Sequence, residues 1–143
     1  MRLYFSSSIK GSLSINKEEH DKEIIAFLKH FGEVLAGHLK NGEYEISFQS
    51  SFNDKEIHDR DMNWLLSSDA VIAEVSNPSL GVGYEIGRAV EHNIPVLCLY
   101  HKVNKKLSTM MRGCDKIIIK DYYDSKEAEK YIDEFIVNIK NHR

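Results

Sequence analysis

Two carboxylates, Glu85 and Asp61, stand in sequence settings where an acidic residue could do chemistry. Glu85 follows an apolar run at residues 70–75 and a loop that bears glycines, and it opens a helical pattern over residues 80–92. We expect it in the first turn of that helix, where the helix dipole attracts anions and keeps a carboxylate ionised. By itself, this position is more typical of an ordinary first-turn glutamate, but the neighbouring Gly81 and Gly83 make Glu85 a candidate nucleophile.

Asp61 lies on or beside the apolar side of a second predicted helix. It comes four residues after Ile57 and three before Trp64, a spacing that places all three close to one helix face. A carboxylate without a partner is costly in such a position. The pattern therefore indicates either a buried hydrogen bond or a functional carboxylate at the mouth of a sheet, and spacing leaves both open.

The loop after the first predicted strand, residues 6–12, contains materials for binding a phosphate group. It reads Ser-Ser-Ser-Ile-Lys-Gly-Ser, which combines hydroxyl groups, a cation and a glycine. A solvated polar loop would have the same composition. Gly81 and Gly83 clear space beside Glu85, but Ile86 stands where a dinucleotide fingerprint needs its last glycine, so that function is not indicated.

The elements that must position these residues alternate between apolar runs and helical patterns. Strands that are apolar on both faces and separated by helices predict a parallel sheet covered on both sides. Ligands of such folds bind at the carboxyl ends of the strands. Residues 37–51 are polar and predicted to form a loop. The predicted strands are residues 2–6, 33–36, 70–75, 94–100 and 116–119, and the helices are residues 16–31, 53–66, 80–92, 105–112 and 126–140.

Length and composition predict one soluble domain over residues 1–143. The net charge of -3 argues against a partner that is a nucleic-acid polymer, and no apolar run approaches the roughly 20 residues that span a membrane. Cys98 and Cys114 adjoin apolar runs and are predicted to be reduced and buried in a cytoplasmic protein. The scattered histidines predict no metal site.

Three blocks of this chain, taken in order, resemble the 2'-deoxynucleoside 5'-phosphate N-hydrolases of the nucleoside 2-deoxyribosyltransferase-like superfamily. They are Ile-His-Asp-Arg-Asp-Met-Asn-Trp-Leu at residues 57–65, residues 69–89, and Leu-Ser-Thr-Met-Met-Arg-Gly at residues 107–113. The resemblance implies a flavodoxin-like or Rossmann-like α/β three-layer sandwich with a five-stranded parallel sheet. It also implies a homodimer without a cofactor, which hydrolyses the N-glycosidic bond of deoxynucleoside monophosphates to a free base and 2-deoxyribose 5-phosphate.

The resemblance also implies roles for individual residues. Glu85 matches the nucleophile of the family, Asp61 its catalytic aspartate and Tyr4 an active-site tyrosine. Ser108 and Met110 match residues that complete the site of the neighbouring subunit. The remaining substrate-binding matches are Ser8, Ile9, Lys10, Gly11, His38, Ser79 and Gly81.

One departure concerns the loop after the first strand, where Lys10 replaces the arginine usual in the family and loses its bidentate fork. Three other functions remain open at this stage. They are a ribonucleotide N-glycosidase of the cytidine monophosphate type, a nucleoside 2-deoxyribosyltransferase and a non-catalytic nucleotide-binding module. The joint presence of Tyr4, Asp61 and Glu85 favours an enzyme.

Overall fold

The computed structural model describes residues 1–8, 17–37, 39–40, 43–44, 52–103 and 106–143. Strands and helices alternate along this part of the chain. Their bounds are β1 (Arg2–Ser7), α1 (Lys17–Leu28), β2 (Glu33–Leu35), β3 (Leu39–Lys40), β4 (Glu43–Tyr44), α2 (Asp54–Leu66), β5 (Ala70–Glu74), α3 (Leu80–Glu91), β6 (Val96–His101), α4 (Thr109–Arg112), β7 (Ile117–Tyr122) and α5 (Ser125–Asn141).

The main sheet has five strands in the order β2-β1-β5-β6-β7, and every pair is parallel. The predicted five-stranded parallel sheet is therefore confirmed. The chain leaves β1 toward β2 on one side and later returns to β5 on the other. The connections that follow β1 and β5 thus diverge, which opens a crevice at the carboxyl ends of these two strands.

Alternation along β1 divides its side chains between two cores. Leu3 and Phe5 pack with α1 and α5 on one face of the sheet, whereas Tyr4 packs with α2 and α3 on the other. Ser6 has the same parity as Tyr4 and therefore faces the α2 and α3 layer. This arrangement points two polar side chains of β1 toward the helix that carries Glu85.

The prediction of a loop over residues 37–51 is wrong in part. Strands β3 and β4 form an antiparallel pair in which Leu39 lies opposite Tyr44 and Lys40 opposite Glu43. Leu39 is buried in the core, which gives the short pair an apolar anchor. The signal that could have predicted an antiparallel pair is the Asn41-Gly42 dipeptide, which separates the two strands in the sequence.

Other boundaries also differ from the prediction. Strand β7 runs to Tyr122, three residues further than predicted, because Tyr122 is buried and pairs with His101 of β6. Of the two cysteines, Cys98 is buried but Cys114 is partly exposed. Within the described residues, no helix is long and apolar enough to cross a membrane.

Candidate active site

Glu85 reaches the crevice from α3, one turn later than predicted. The helix begins at Leu80, and its N-cap residue is Ser79, whose Oγ accepts a hydrogen bond from the Val82 N–H group at 3.3 Å. No acidic residue occupies the first turn. The prediction that the helix terminus keeps Glu85 ionised is therefore wrong, because the effect of the dipole falls off within the first turn.

The Glu85 carboxylate is instead held by the two polar side chains of β1. The Tyr4 hydroxyl donates a hydrogen bond to Oε2, and the Ser6 hydroxyl donates one to Oε1 at 3.0 Å. The two strand residues thereby fix both oxygens of a side chain that lies about 80 positions away in the sequence. The carboxylate is oriented before any substrate binds.

Burial dominates the charge state of this carboxylate. The pKa of Glu85 is raised to about 7, and desolvation is the largest cause. The charge of Asp61 also raises this pKa, whereas the hydrogen bonds from Tyr4 and Ser6 lower it. Burial and the nearby carboxylates also raise the pKa of Tyr4 well above its usual range, so the phenol keeps its proton. Glu85 thus titrates near neutral pH, as a group used in catalysis often does.

Asp61 is the second carboxylate of the site and is supplied by α2. Nε and Nη2 of Arg60 donate hydrogen bonds to its Oδ1 at 3.0 and 2.9 Å. Burial raises the pKa of Asp61, while the hydrogen bonds and charge of Arg60 oppose that rise. The buried hydrogen bond that the sequence allowed for Asp61 therefore comes from a guanidinium group.

Tyr4, Asp61 and Glu85 line one cavity of about 320 Å³ at the carboxyl ends of β1 and β5. Five of the residues singled out from the sequence meet there, because Ser79 and Gly81 also lie in its wall. Among the other lining residues, Ser6 and Ser7 belong to the segment at residues 6–12 that was predicted to bind phosphate, whereas Phe5, Gly37 and Val82 were missed. The two-residue spacing of Tyr4 and Ser6 was the signal that could have placed Ser6 beside Glu85.

The remaining predicted site residues lie elsewhere or outside the described part of the chain. Ser8 is buried just beyond the end of β1. Ser108 caps α4 and borders a second cavity of about 690 Å³, which shares Ser79 and Val82 with the first. Met110 is 79% exposed. Outside the described residues lie Ile9, Lys10, Gly11 and His38.

The described residues contain no group of three or more His, Cys, Asp or Glu side chains that could hold a metal ion. The polar residues that line the cavity are Asp61, Glu85, Tyr4 and three serines. Such a set can attack an electron-poor carbon and move a proton.

Fold and site together define an α/β protein with a half-buried, hydrogen-bonded carboxylate where the connections of a parallel sheet diverge. The solved structure of a CMP N-glycosidase from Clostridium botulinum has the same fold. Its TM-score is 0.64 at 19% identity, over 93% of this chain and 99% of that chain.

This chain belongs to the nucleoside 2-deoxyribosyltransferase family, whose model matches residues 3–121. It is 39% identical over 145 residues to the 5-hydroxymethyl-dUMP N-hydrolase of Tetraodon nigroviridis, covering 98% of this chain and all of that one. It is also 42% identical over 141 residues to a candidate 2'-deoxynucleoside 5'-phosphate N-hydrolase 1 of Nematostella vectensis, covering 96% of this chain and 92% of that one. Its enzyme class is therefore N-glycosidase, as the resemblance predicted.

Proposed function

We propose that this protein hydrolyses the N-glycosidic bond of 2'-deoxynucleoside 5'-monophosphates and releases the free base and 2-deoxyribose 5-phosphate. The observation that carries the proposal is the Glu85 carboxylate, which accepts hydrogen bonds from Tyr4 and Ser6 in a cavity that Asp61 also lines. The names of the two relatives, both N-hydrolases of deoxynucleotides, point to the same reaction.

In the first step, an ionised oxygen of Glu85 attacks C1' of the sugar. The bond between C1' and the base nitrogen breaks, its electron pair leaves with the base, and Asp61 supplies the proton that the base needs. Burial raises the pKa of Asp61, while the hydrogen bonds and charge of Arg60 lower it. The developing positive charge on the sugar is stabilised by the Glu85 carboxylate.

In the second step, water attacks C1' of the glycosyl ester and returns one proton to Asp61. The ester bond breaks, and its electron pair restores the Glu85 carboxylate. The Tyr4 and Ser6 hydroxyl groups hold that carboxylate in the same place for the next turnover. A 2'-hydroxyl group would destabilise the cationic transition state and crowd Glu85, which favours deoxy substrates.

The 5'-phosphate group is assigned to the loops that follow β1 and β5. Ser79 and Gly81 lie in the cavity wall at the start of α3, where the dipole favours an anion. Ser8 and the sequence matches Ile9, Lys10 and Gly11 are also assigned to phosphate binding, and His38 is assigned to substrate binding.

A homodimer is part of the proposal. Ser108 and Met110 lie outside the lining of the cavity that holds Glu85, and the Met110 side chain is largely exposed. Both features fit residues that act on a neighbouring subunit. Sedimentation at working concentration tests this element, because a monomer would exclude a shared site.

The activity is tested by incubating the protein with the four common deoxynucleoside monophosphates, 5-hydroxymethyl-dUMP, the matching nucleosides and the ribonucleotides, and measuring released base. We expect the wild-type protein to release base from the deoxynucleotides and the Glu85→Gln variant to release none. Glu91→Gln, an exposed carboxylate on the same helix, is the matched control and should keep full activity. Normal turnover by Glu85→Gln would overturn the nucleophile assignment.

The covalent step has its own measurement. Mass spectrometry of the protein during turnover should show an adduct with the mass of a 2-deoxyribosyl 5-phosphate group on Glu85. Release of base only from ribonucleotides would favour the CMP-type function, and glycosylation of an added base would favour a transferase. Binding of nucleotide without release of base would favour a non-catalytic module.

A further inference from the structure

We propose that Arg60 is a positioning residue, which holds the Asp61 carboxylate and the Gly37 carbonyl group together in the wall of the active site. Its Nη2 donates to the Gly37 oxygen at 3.2 Å in addition to the bonds that it and Nε make to Asp61. Asp61 and Gly37 line the cavity, whereas Arg60 is not among its lining residues. The inference rests on the role given to Asp61 in the proposed function.

Two aromatic rings hold the guanidinium group in place. Its Cζ lies 4.6 Å from the ring centre of Trp64 and 5.4 Å from that of Phe52. Only 15% of the Arg60 side chain is exposed. A guanidinium group can stack on aromatic faces and still direct its N–H groups at acceptors in its own plane. Arg60 is thus oriented independently of any substrate.

The contact with Asp61 is not one that helix geometry supplies by itself. Neighbouring residues of a helix point about 100° apart, and side chains one position apart do not normally face each other. The Arg60 side chain must bend toward its neighbour, and the rings of Phe52 and Trp64 stabilise that conformation. The rings, the guanidinium group and the carboxylate therefore form one continuous assembly.

The hydrogen bonds that Arg60 donates to Asp61 distinguish between the two oxygens of its carboxylate. Both go to Oδ1, so Oδ2 is the oxygen that these two bonds leave for the exchange of a proton with substrate. Among the described residues, the charged or titratable groups that influence Asp61 or share its cavity are Arg60 and His58 of α2, Glu85 of α3 and Tyr4 of β1. His58 is exposed and bonded to Tyr84, so Arg60 is the buried cation of this set.

The test compares Arg60→Gln, Arg60→Lys, Asp61→Asn and the double variant Arg60→Gln/Asp61→Asn, with 5-hydroxymethyl-dUMP as substrate. Loss of a charge-assisted hydrogen bond predicts a fall in kcat of about tenfold or more for Arg60→Gln, with KM within about twofold. Because Arg60 opposes the rise in the pKa of Asp61, the limb of the pH profile that reports Asp61 should move to higher pH. Arg60→Lys keeps the charge and should show the smaller change.

The double variant separates a positioning role from a merely structural one. If Arg60 acts through Asp61, Arg60→Gln should lower kcat by less than about twofold in the Asp61→Asn background. Arg143→Gln is the matched control, because Arg143 forms an ion pair with Asp69 at the opposite end of the sheet. It should leave kcat and the pH profile unchanged. Thermal unfolding of each variant shows whether it is folded. If Arg60→Gln is not folded, kcat and the pH profile are compared for Arg60→Lys instead.

Two results would overturn the inference, and they differ from failure of the proposed function. If the fold loss of kcat in the double variant equals the product of the losses in the two single variants, Arg60 acts independently of Asp61. An unchanged kcat and pH profile in Arg60→Gln, beside a clear loss in Asp61→Asn, would refute the role of Arg60 alone. Full turnover by Asp61→Asn would instead refute the assignment of Asp61, and the inference would fail with it.

Discussion

Replacing Glu85 with glutamine should stabilise the substrate-free protein at alkaline pH and leave its stability unchanged in acid. The pKa of Glu85 is about 7 in the folded protein, against an ordinary value of 4.5. Between these two pH values the folded state binds more protons than the unfolded state. The free energy of unfolding therefore falls as the pH rises through this window.

The size of the effect follows from the difference between the two pKa values. At about 1.4 kcal/mol for each pH unit, the difference corresponds to up to about 3 kcal/mol above pH 7. Partial exposure of Glu85 to solvent makes this an upper figure. Glutamine carries no charge at any pH and avoids the cost, while its amide can still pair with Tyr4 and Ser6.

The assay is urea unfolding of the wild type and Glu85→Gln at pH 4, 5.5, 7 and 8.5. The two proteins should have equal stability at the lowest pH and diverge as the pH rises. Glu91→Gln, on the same helix but exposed, should follow the wild type throughout. A difference between Glu85→Gln and the wild type that is the same at every pH would show that burial does not govern the charge of Glu85.

Two further changes have definite expected outcomes. Tyr4→Phe removes a hydrogen bond that lowers the pKa of Glu85, so the acid limb of the kcat/KM profile should move upward by about one pH unit. Exposed Tyr123→Phe should not move it, and an unmoved limb in Tyr4→Phe would show that this hydrogen bond does not tune Glu85. Gly32 has a φ of 147°, and a Cβ there would lie 2.0 Å from the Met1 oxygen. Gly32→Ala should therefore cost about 2 kcal/mol or more in urea unfolding, and equal stability would contradict this reading of the turn.

Much of the fold could be predicted because local patterns agree with it. The run at residues 70–75 is apolar at nearly every position, which is typical of a strand covered on both faces, and β5 lies there. A helix was predicted over residues 53–66, and at its start the Asn53 side chain accepts a hydrogen bond from the Glu56 N–H group at 2.8 Å. The short β3–β4 pair was not predicted, because the polar composition of residues 37–51 indicated a loop in spite of the Asn41-Gly42 dipeptide.

The site was predicted as a set of residues rather than as an arrangement. Family resemblance singled out Glu85, Asp61 and Tyr4, and all three line one cavity. The physical reason first given for Glu85 was wrong, because position in a helix says little about how deeply a carboxylate is buried. Arg60 was passed over because its importance depends on contacts with Gly37 and Phe52, which come from outside its helix.

The sequence by itself determined the alternation of strands and helices, the family and the identity of the two carboxylates. The alternation follows from residue types and short spacings, which are local properties of the chain. The family and the roles of the two carboxylates follow from the resemblance between three blocks of this sequence and the family. Only the tertiary structure decided that Tyr4 and Ser6 donate hydrogen bonds to Glu85 and that Arg60 pairs with Asp61. A pKa near 7 for Glu85 depends on desolvation and on charges brought together from distant positions, and no local pattern encodes either.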